Sequence, residues 1–105
     1  MRNYSIKFPD DFNEYEWEIE SKGCLEIDIE IYGNIYNFNF YDPIRLNQKI
    51  QDDLYSNPYS FYENLVVISS VNVENIEYFI EDIIDTPYLS SFNIKGKSSN
   101  YLYFK

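Results

Sequence analysis

Hydrophobic and polar residues alternate strictly over two stretches of the chain, and this pattern predicts two β-strands. Residues 14–20 place Tyr15, Trp17 and Ile19 on one face and four glutamates on the other. Residues 25–32 repeat the pattern, with aliphatic side chains opposite three acidic ones. A period of two residues is typical of a strand with one buried and one solvated face. If the two strands are neighbours, their acidic side chains share one face of a sheet.

A β-hairpin is predicted where Gly33-Asn34 separates two strand-like runs. A two-residue loop at this point sets Ile29 opposite Phe38 and brings the apolar residues of both strands onto one face. The same register leaves the acidic residues of the first strand on the opposite face. Because a slip by one residue would exchange the two faces, the hydrophobic pattern supports this register.

Two helices are predicted from their capping signals. Asp42 is a predicted N-cap because Pro43 follows it, and an apolar residue then recurs every four positions up to residue 56. Asn72 is a predicted cap of a second helix, which ends before Pro87.

Further strands are predicted at residues 4–8, 63–69, 88–95 and 101–104, with residues 63–69 central in the sheet and the last two forming a terminal hairpin. The expected fold is therefore one α+β domain over residues 1–105. It consists mostly of an antiparallel sheet of about six or seven strands, with two helices packed on it.

Composition narrows the range of partners. Eighteen acidic and eight basic residues give a net charge of -10 over 105 residues, and 45% of the residues are apolar. Such an acidic chain is expected to bind neither nucleic acid nor an anionic membrane, and the charge favours a basic partner. The start of the chain lacks the apolar segment of a signal peptide, and Cys24 has no second cysteine to pair with. We therefore expect a cytoplasmic protein.

The residue types also limit the chemistry. The chain has no His, which removes His-based nucleophilic triads and the commonest metal ligand. Cys24 has no imidazole partner, and its position after Gly23 indicates a structural thiol. Asp52 and Asp53 are open to two interpretations, either as acid–base or Mg²⁺-binding groups or as a solvated helix face. We expect no catalytic residue, no metal, no cofactor and no enzymatic activity.

Two acidic groups are the candidate partner-binding residues. The predicted strand face carries the first group, which comprises Glu14, Glu16, Glu18, Glu20, Glu26, Asp28 and Glu30. The second group is Glu81, Asp82 and Asp85, at the C-terminal end of the second predicted helix, where the helix dipole is already negative. Two interpretations of the first group remain open. It either prevents aggregation by repulsion or is a docking surface for a cationic partner.

The predicted strand of residues 15–20, with a glutamate at every second position, and the predicted hairpin of residues 25–41 together give the chain an acidic profile. This profile resembles the immunity proteins of bacterial toxin–immunity pairs, especially those of contact-dependent growth inhibition systems. The resemblance implies a protein that binds a toxic C-terminal domain, often a basic nuclease, and covers its active site. A DNA mimic that inhibits a DNA-binding enzyme is the alternative, because it would use the same charge.

Overall fold

The structure of the protein is a computed structural model that describes residues 3–97. One mixed β-sheet, three α-helices and a short 3-10 helix make up this part of the chain. The elements follow in the order β1 (Tyr4–Ile6), α1 (Phe12–Lys22), β2 (Cys24–Ile31), β3 (Asn34–Tyr41), α2 (Pro43–Ser56), β4 (Leu65–Val67), α3 (Val73–Ile83), the 3-10 helix (Pro87–Ser91) and β5 (Gly96–Lys97).

The sheet is built around the long β2–β3 hairpin. The strand order is β1-β2-β3-β4, and β5 also pairs with β3. The pairs β1–β2, β2–β3 and β3–β5 are antiparallel, whereas β4 runs parallel to β3. A parallel neighbour requires a crossover connection, and α2 supplies it.

One face of the sheet forms the core, and α3 covers it. Ile29, Phe38 and Phe40 of the sheet and Ile76 and Ile80 of α3 are fully buried together. These α3 residues recur at a spacing of four, so one side of the helix faces the sheet. The opposite face, called here the polar face, carries Glu26, Asp28, Glu30, Asn37 and Asn39.

The capping predictions for α2 and α3 are confirmed. The Asp42 side chain accepts a hydrogen bond from the Arg45 backbone N–H at 2.7 Å, and α2 begins at Pro43. The Asn72 side chain accepts from the Asn75 N–H at 2.9 Å and starts α3 in the same way. Both caps satisfy backbone donors that a helix N-terminus otherwise leaves unpaired.

The predicted strand at residues 14–20 is wrong, because this segment lies within helix α1. Phe12, Tyr15 and Ile19 are spaced three and four residues apart, so they line one side of a helix. Phe12 is buried and Ile19 packs against the core. Gly23 ends the helix with φ of +79° and donates its N–H to the Ile19 carbonyl at 2.9 Å. Glycine adopts this left-handed conformation without strain, which makes it a common helix terminator.

The predicted hairpin exists, but its register differs from the prediction. The two loop residues are Tyr32 and Gly33, both with positive φ, rather than Gly33 and Asn34. Ile29 therefore pairs with Tyr36, not with Phe38. Moving the turn by one residue shifts each pair by two, an even number that leaves the side chains on the predicted faces.

The predicted number of elements is also wrong, although the architecture is α+β. Residues 3–97 form three α-helices rather than two, and five strands, of which β5 has two residues. Residues 63–69 were expected in the sheet centre, but β4 lies at its edge. Residues 88–91 belong to a 3-10 helix rather than a strand. The predicted strand at residues 101–104 lies outside the described part of the chain.

Candidate partner-binding surface

Helix α1 presents acidic side chains and a tryptophan to solvent. Its inner side is occupied by Phe12 and Ile19, so the residues on the opposite side have no contact with the core. We call Glu14, Trp17 and Glu18, which are all exposed, the outer face of α1. Trp17 is 66% exposed and is the only tryptophan of the chain.

Glu16 and Glu20 lie on the side of α1 that meets the start of α3. The Oε2 atom of Glu16 accepts a hydrogen bond from the Val73 backbone N–H at 2.9 Å. The Oε2 atom of Glu20 accepts from the Asn72 side-chain amide, also at 2.9 Å. Two glutamates of the predicted acidic face therefore join two helices. Because a carboxylate near a helix N-terminus is favourable, these contacts hold α1 against α3.

An open groove of about 470 Å³ lies between α1 and the start of α3. We call it the Trp17 groove, and its lining residues are Asn13, Glu16, Trp17, Glu20, Asn72 and Glu74. The lining contains three carboxylates and no Lys or Arg. Among the side chains of residues 3–96, the ion pairs are Lys7–Glu30, Lys49–Asp53 and Lys95–Asp28, so none involves α1 or this groove.

The acidic residues of β2 lie on the polar face of the sheet and have partners of their own. Asp28 accepts hydrogen bonds from Asn37 at 2.9 Å and from the Lys95 ammonium at 2.9 Å. The bond from Asn37, followed by that from Lys95, holds the pKa of Asp28 below its usual value. Glu30 pairs with Lys7 at 3.6 Å, and Glu26 is exposed.

The seven predicted residues therefore do not form one surface of aligned carboxylates. Glu14 and Glu18 belong to the outer face of α1, and Glu16 and Glu20 line the Trp17 groove. The other three, Glu26, Asp28 and Glu30, belong to the sheet. They cannot share a strand face with the first four because residues 14–20 are helical.

The second candidate group is tied to the sheet by tyrosine hydroxyls. Tyr4 of β1 donates to Glu81 at 2.8 Å, and Tyr32 of the hairpin turn donates to Asp85 at 2.5 Å. The Asp85 carboxylate raises the pKa of Tyr32 above its ordinary value. Asp82 is exposed. Neutral donors thus compensate two of the three charges that the helix dipole disfavours.

Asp53 organises the connection between α2 and β4. It accepts hydrogen bonds from Lys49 at 3.2 Å, from Ser60 at 3.3 Å and from the Tyr62 hydroxyl. The bond from Tyr62, helped by those from Lys49 and Ser60, holds the pKa of Asp53 below its usual value. Asp52, its neighbour in sequence, is exposed. The two aspartates therefore do not act as a pair.

The sequence interpretation missed the role of Trp17 and Glu74. It assigned Trp17 to a buried face because that residue alternates with Tyr15 and Ile19. The helical spacing from Phe12 to Ile19 was the signal that could have shown Trp17 to be exposed. Glu74, in the first turn of α3, lines the groove with residues of α1 that are more than 50 positions away in sequence.

The described residues hold no arrangement of three or more His, Cys, Asp or Glu side chains suited to a metal ion. Cys24 is half-buried at the start of β2. None of the helices within residues 3–97 has the length and apolar character needed to cross a membrane. Comparison of the chain with protein-family models, with curated proteins and with solved structures finds no match.

Proposed function

We propose that this chain is a cytoplasmic, non-enzymatic inhibitor of the immunity type, which binds and neutralises a basic toxin domain. One observation carries the proposal. The outer face of α1 combines exposed carboxylates with an exposed tryptophan, and no cationic side chain of residues 3–96 pairs with it. Solubility would be better served by charges of both signs, and an exposed indole adds nothing to it.

The charge of the molecule supports a basic partner. A protein with a net charge of -10 attracts a cationic surface from a distance. Such steering raises association rates above the roughly 10⁵ to 10⁶ M⁻¹s⁻¹ of pairs without charge complementarity. A nuclease fits this requirement, because its active site is basic in order to hold phosphates. An acidic helix seated there would exclude the nucleic acid.

The tryptophan supplies the affinity that surface charges do not. Exposed ion pairs contribute about 0–1 kcal/mol each, whereas a buried Trp at the centre of an interface often contributes about 2 kcal/mol or more. Trp17 lies between Glu14 and Glu18 on one side and Glu20 on the other. In this arrangement, carboxylates surround an aromatic residue that a partner could bury.

The hydrogen bonds and ion pairs that the acidic side chains form within the fold disfavour the DNA-mimic alternative. Imitation of a duplex requires long rows of free carboxylates, spaced like phosphates. Here Asp28 and Glu30 are paired with lysines, while Glu81 and Asp85 accept from tyrosines. On α1, the exposed carboxylates of Glu14 and Glu18 lie beside an exposed tryptophan, and this combination suits a pocket on a protein better than a DNA-binding groove.

The experiment is affinity capture from the source cells with the wild-type chain and two variants. Glu14→Lys combined with Glu18→Lys reverses the outer face of α1 without touching Glu16, which binds α3. Asp10→Lys combined with Asp52→Lys changes the net charge equally at exposed positions before α1 and on α2, outside both candidate acidic groups. We expect wild type and the second variant to retain a basic protein that the first variant loses.

Inhibition must then be measured with the captured protein. Adding the chain in a one-to-one ratio is expected to abolish its nuclease activity, and the Glu14→Lys/Glu18→Lys variant is expected to leave most of that activity. The proposal is wrong if the captured protein is acidic, if both variants bind equally, or if a bound toxin remains active. Capture of a DNA-binding enzyme that is not a toxin would favour the DNA-mimic function instead.

A further inference from the structure

We infer that the Trp17 groove holds an arginine side chain of the partner, with the guanidinium stacked on the indole and hydrogen-bonded to the groove carboxylates. This inference rests on the proposed function and specifies how the partner is recognised. Arginine binding of this kind needs an accessible indole face and fixed hydrogen-bond acceptors around it. The groove must also bind a guanidinium better than an ammonium group.

The aromatic face is accessible and has acidic neighbours. Side chains three or four residues apart are adjacent on a helix, so Glu14 and Glu20 both flank Trp17. Two-thirds of the Trp17 side chain is exposed, and the groove beside it is open to solvent. A cation over the face of an indole is attracted by the ring electrons, and the attraction grows once water is excluded from the site.

The groove carboxylates are fixed before any ligand arrives. Glu16 and Glu20 each use Oε2 to accept a hydrogen bond from the start of α3. Among the described residues, the Oε1 atoms of both have no hydrogen-bond partner and remain available as acceptors. Because their side chains are already held, binding a guanidinium there costs less conformational entropy than binding by mobile side chains.

The positive end of the α3 dipole also faces this groove, and it would by itself repel a cation. Glu16 already accepts from the Val73 N–H, and the Asn72 side chain accepts from the Asn75 N–H. Glu74 adds a full negative charge in the first turn of α3. Three carboxylates therefore outweigh a helix terminus equivalent to roughly half an elementary charge.

Arginine fits this groove better than lysine for two reasons. Its guanidinium is planar, so it can stack on the indole while its edge donates several hydrogen bonds to carboxylates. It is also less strongly hydrated than an ammonium group, so its transfer from water costs less. A lysine ammonium can also lie over the indole, but it is a compact point charge that neither stacks in parallel with the ring nor donates paired hydrogen bonds to one carboxylate.

The full chain can be titrated with three short peptides, namely tri-arginine, tri-lysine and the neutral isostere tri-citrulline. Trp17 is the only indole, so its fluorescence reports on the groove itself. We expect tri-arginine to change the emission and to bind about fivefold more tightly than tri-lysine, because only the guanidinium combines parallel stacking with paired hydrogen bonds to a carboxylate. Tri-citrulline is expected to leave the emission unchanged.

Matched variants assign the binding to the groove. Glu20→Gln combined with Glu74→Gln removes two groove charges and keeps an oxygen that can accept from Asn72. Asp10→Asn combined with Asp52→Asn removes the same charge at exposed positions outside the groove lining and outside both candidate acidic groups. We expect the first variant to weaken tri-arginine binding about fivefold or more, and the second by less than about twofold.

Equal affinity for tri-arginine and tri-lysine, unchanged Trp17 emission or equal effects of the two variants would overturn the inference. The proposed function could still hold in that case, because it depends on capture and inhibition of a basic protein. If capture fails while the peptide preference holds, the groove binds arginine but the immunity function is wrong. The two experiments therefore fail independently.

Discussion

At the scale of single residues, neighbouring glutamates of α1 have different roles. Glu16 is half-buried and binds the first N–H of α3, while Glu18 is exposed and belongs to the outer face. Glu16→Ala is expected to lower the free energy of unfolding by about 1 kcal/mol, because a helix terminus loses a hydrogen-bond acceptor. Glu18→Ala is expected to change it little. Urea denaturation of both variants checks this, and equal effects would contradict it.

The Tyr32 hydroxyl makes the stability of the fold depend on pH in the alkaline range. Its hydrogen bond to Asp85 raises the pKa of Tyr32 above the ordinary 10.0. A raised pKa means that the folded state retains the proton more strongly. The stabilisation is therefore complete below pH 10 and is lost as the pH rises through the folded pKa. We expect the unfolding midpoint of Tyr32→Phe to fall less between pH 9 and 12 than that of wild type, as followed by circular dichroism.

At the scale of elements, the junction between α1 and β2 depends on Gly23. Its φ is +79°, and a Cβ placed there would lie 2.4 Å from the Asp42 carboxylate. Gly23→Ala therefore adds backbone strain to a steric conflict with the cap of α2, and we expect a loss of about 1–3 kcal/mol. Gly96→Ala is the matched control, because a Cβ there meets nothing within 4 Å. Urea denaturation should separate the two, and similar stabilities would contradict this account.

How far the sequence predicts the elements depends on how local their signals are. Helices α2 and α3 are correctly predicted because Asp42 and Asn72 bind backbone groups three residues away. The faces of the hairpin are correct because the pattern repeats with period two even where the turn is displaced. The prediction for the α1 segment is wrong because its apolar residues fit both the two-residue period of a strand and the spacing of a helix. Tyr15, Trp17 and Ile19 alternate, while Phe12, Tyr15 and Ile19 follow the helical spacing.

The candidate site is less predictable than the elements because its contacts are distant in sequence. Glu16 and Val73 are 57 residues apart, and Tyr4 and Glu81 are 77 residues apart. The sequence identifies the acidic residues but does not tell which of them are bound within the fold. The edge position of β4 is also hard to predict from local sequence, because it depends on how the connection through α2 places β4 beside β3.

At the scale of the whole molecule, charge is expected to control how fast the protein binds. Because the chain has no His, its net charge hardly changes between pH 8 and pH 5. Titration of this protein should therefore contribute little to any pH dependence of binding in that range. Raising the salt concentration should slow association steeply and change dissociation little. Stopped-flow association with the captured partner at two salt concentrations measures this. An association rate that is indifferent to salt would mean that the acidic surface serves only solubility.

The separation between folding contacts and the outer face of α1 also bears on how such a protein can evolve. Glu14, Trp17 and Glu18 lie outside the buried core, and none of them forms an ion pair with a side chain of residues 3–96. Substitutions at these positions can therefore accumulate without loss of stability, a freedom that core positions do not have. A lineage confronted with a changed partner could alter its specificity there in single steps, each passing through a folded protein.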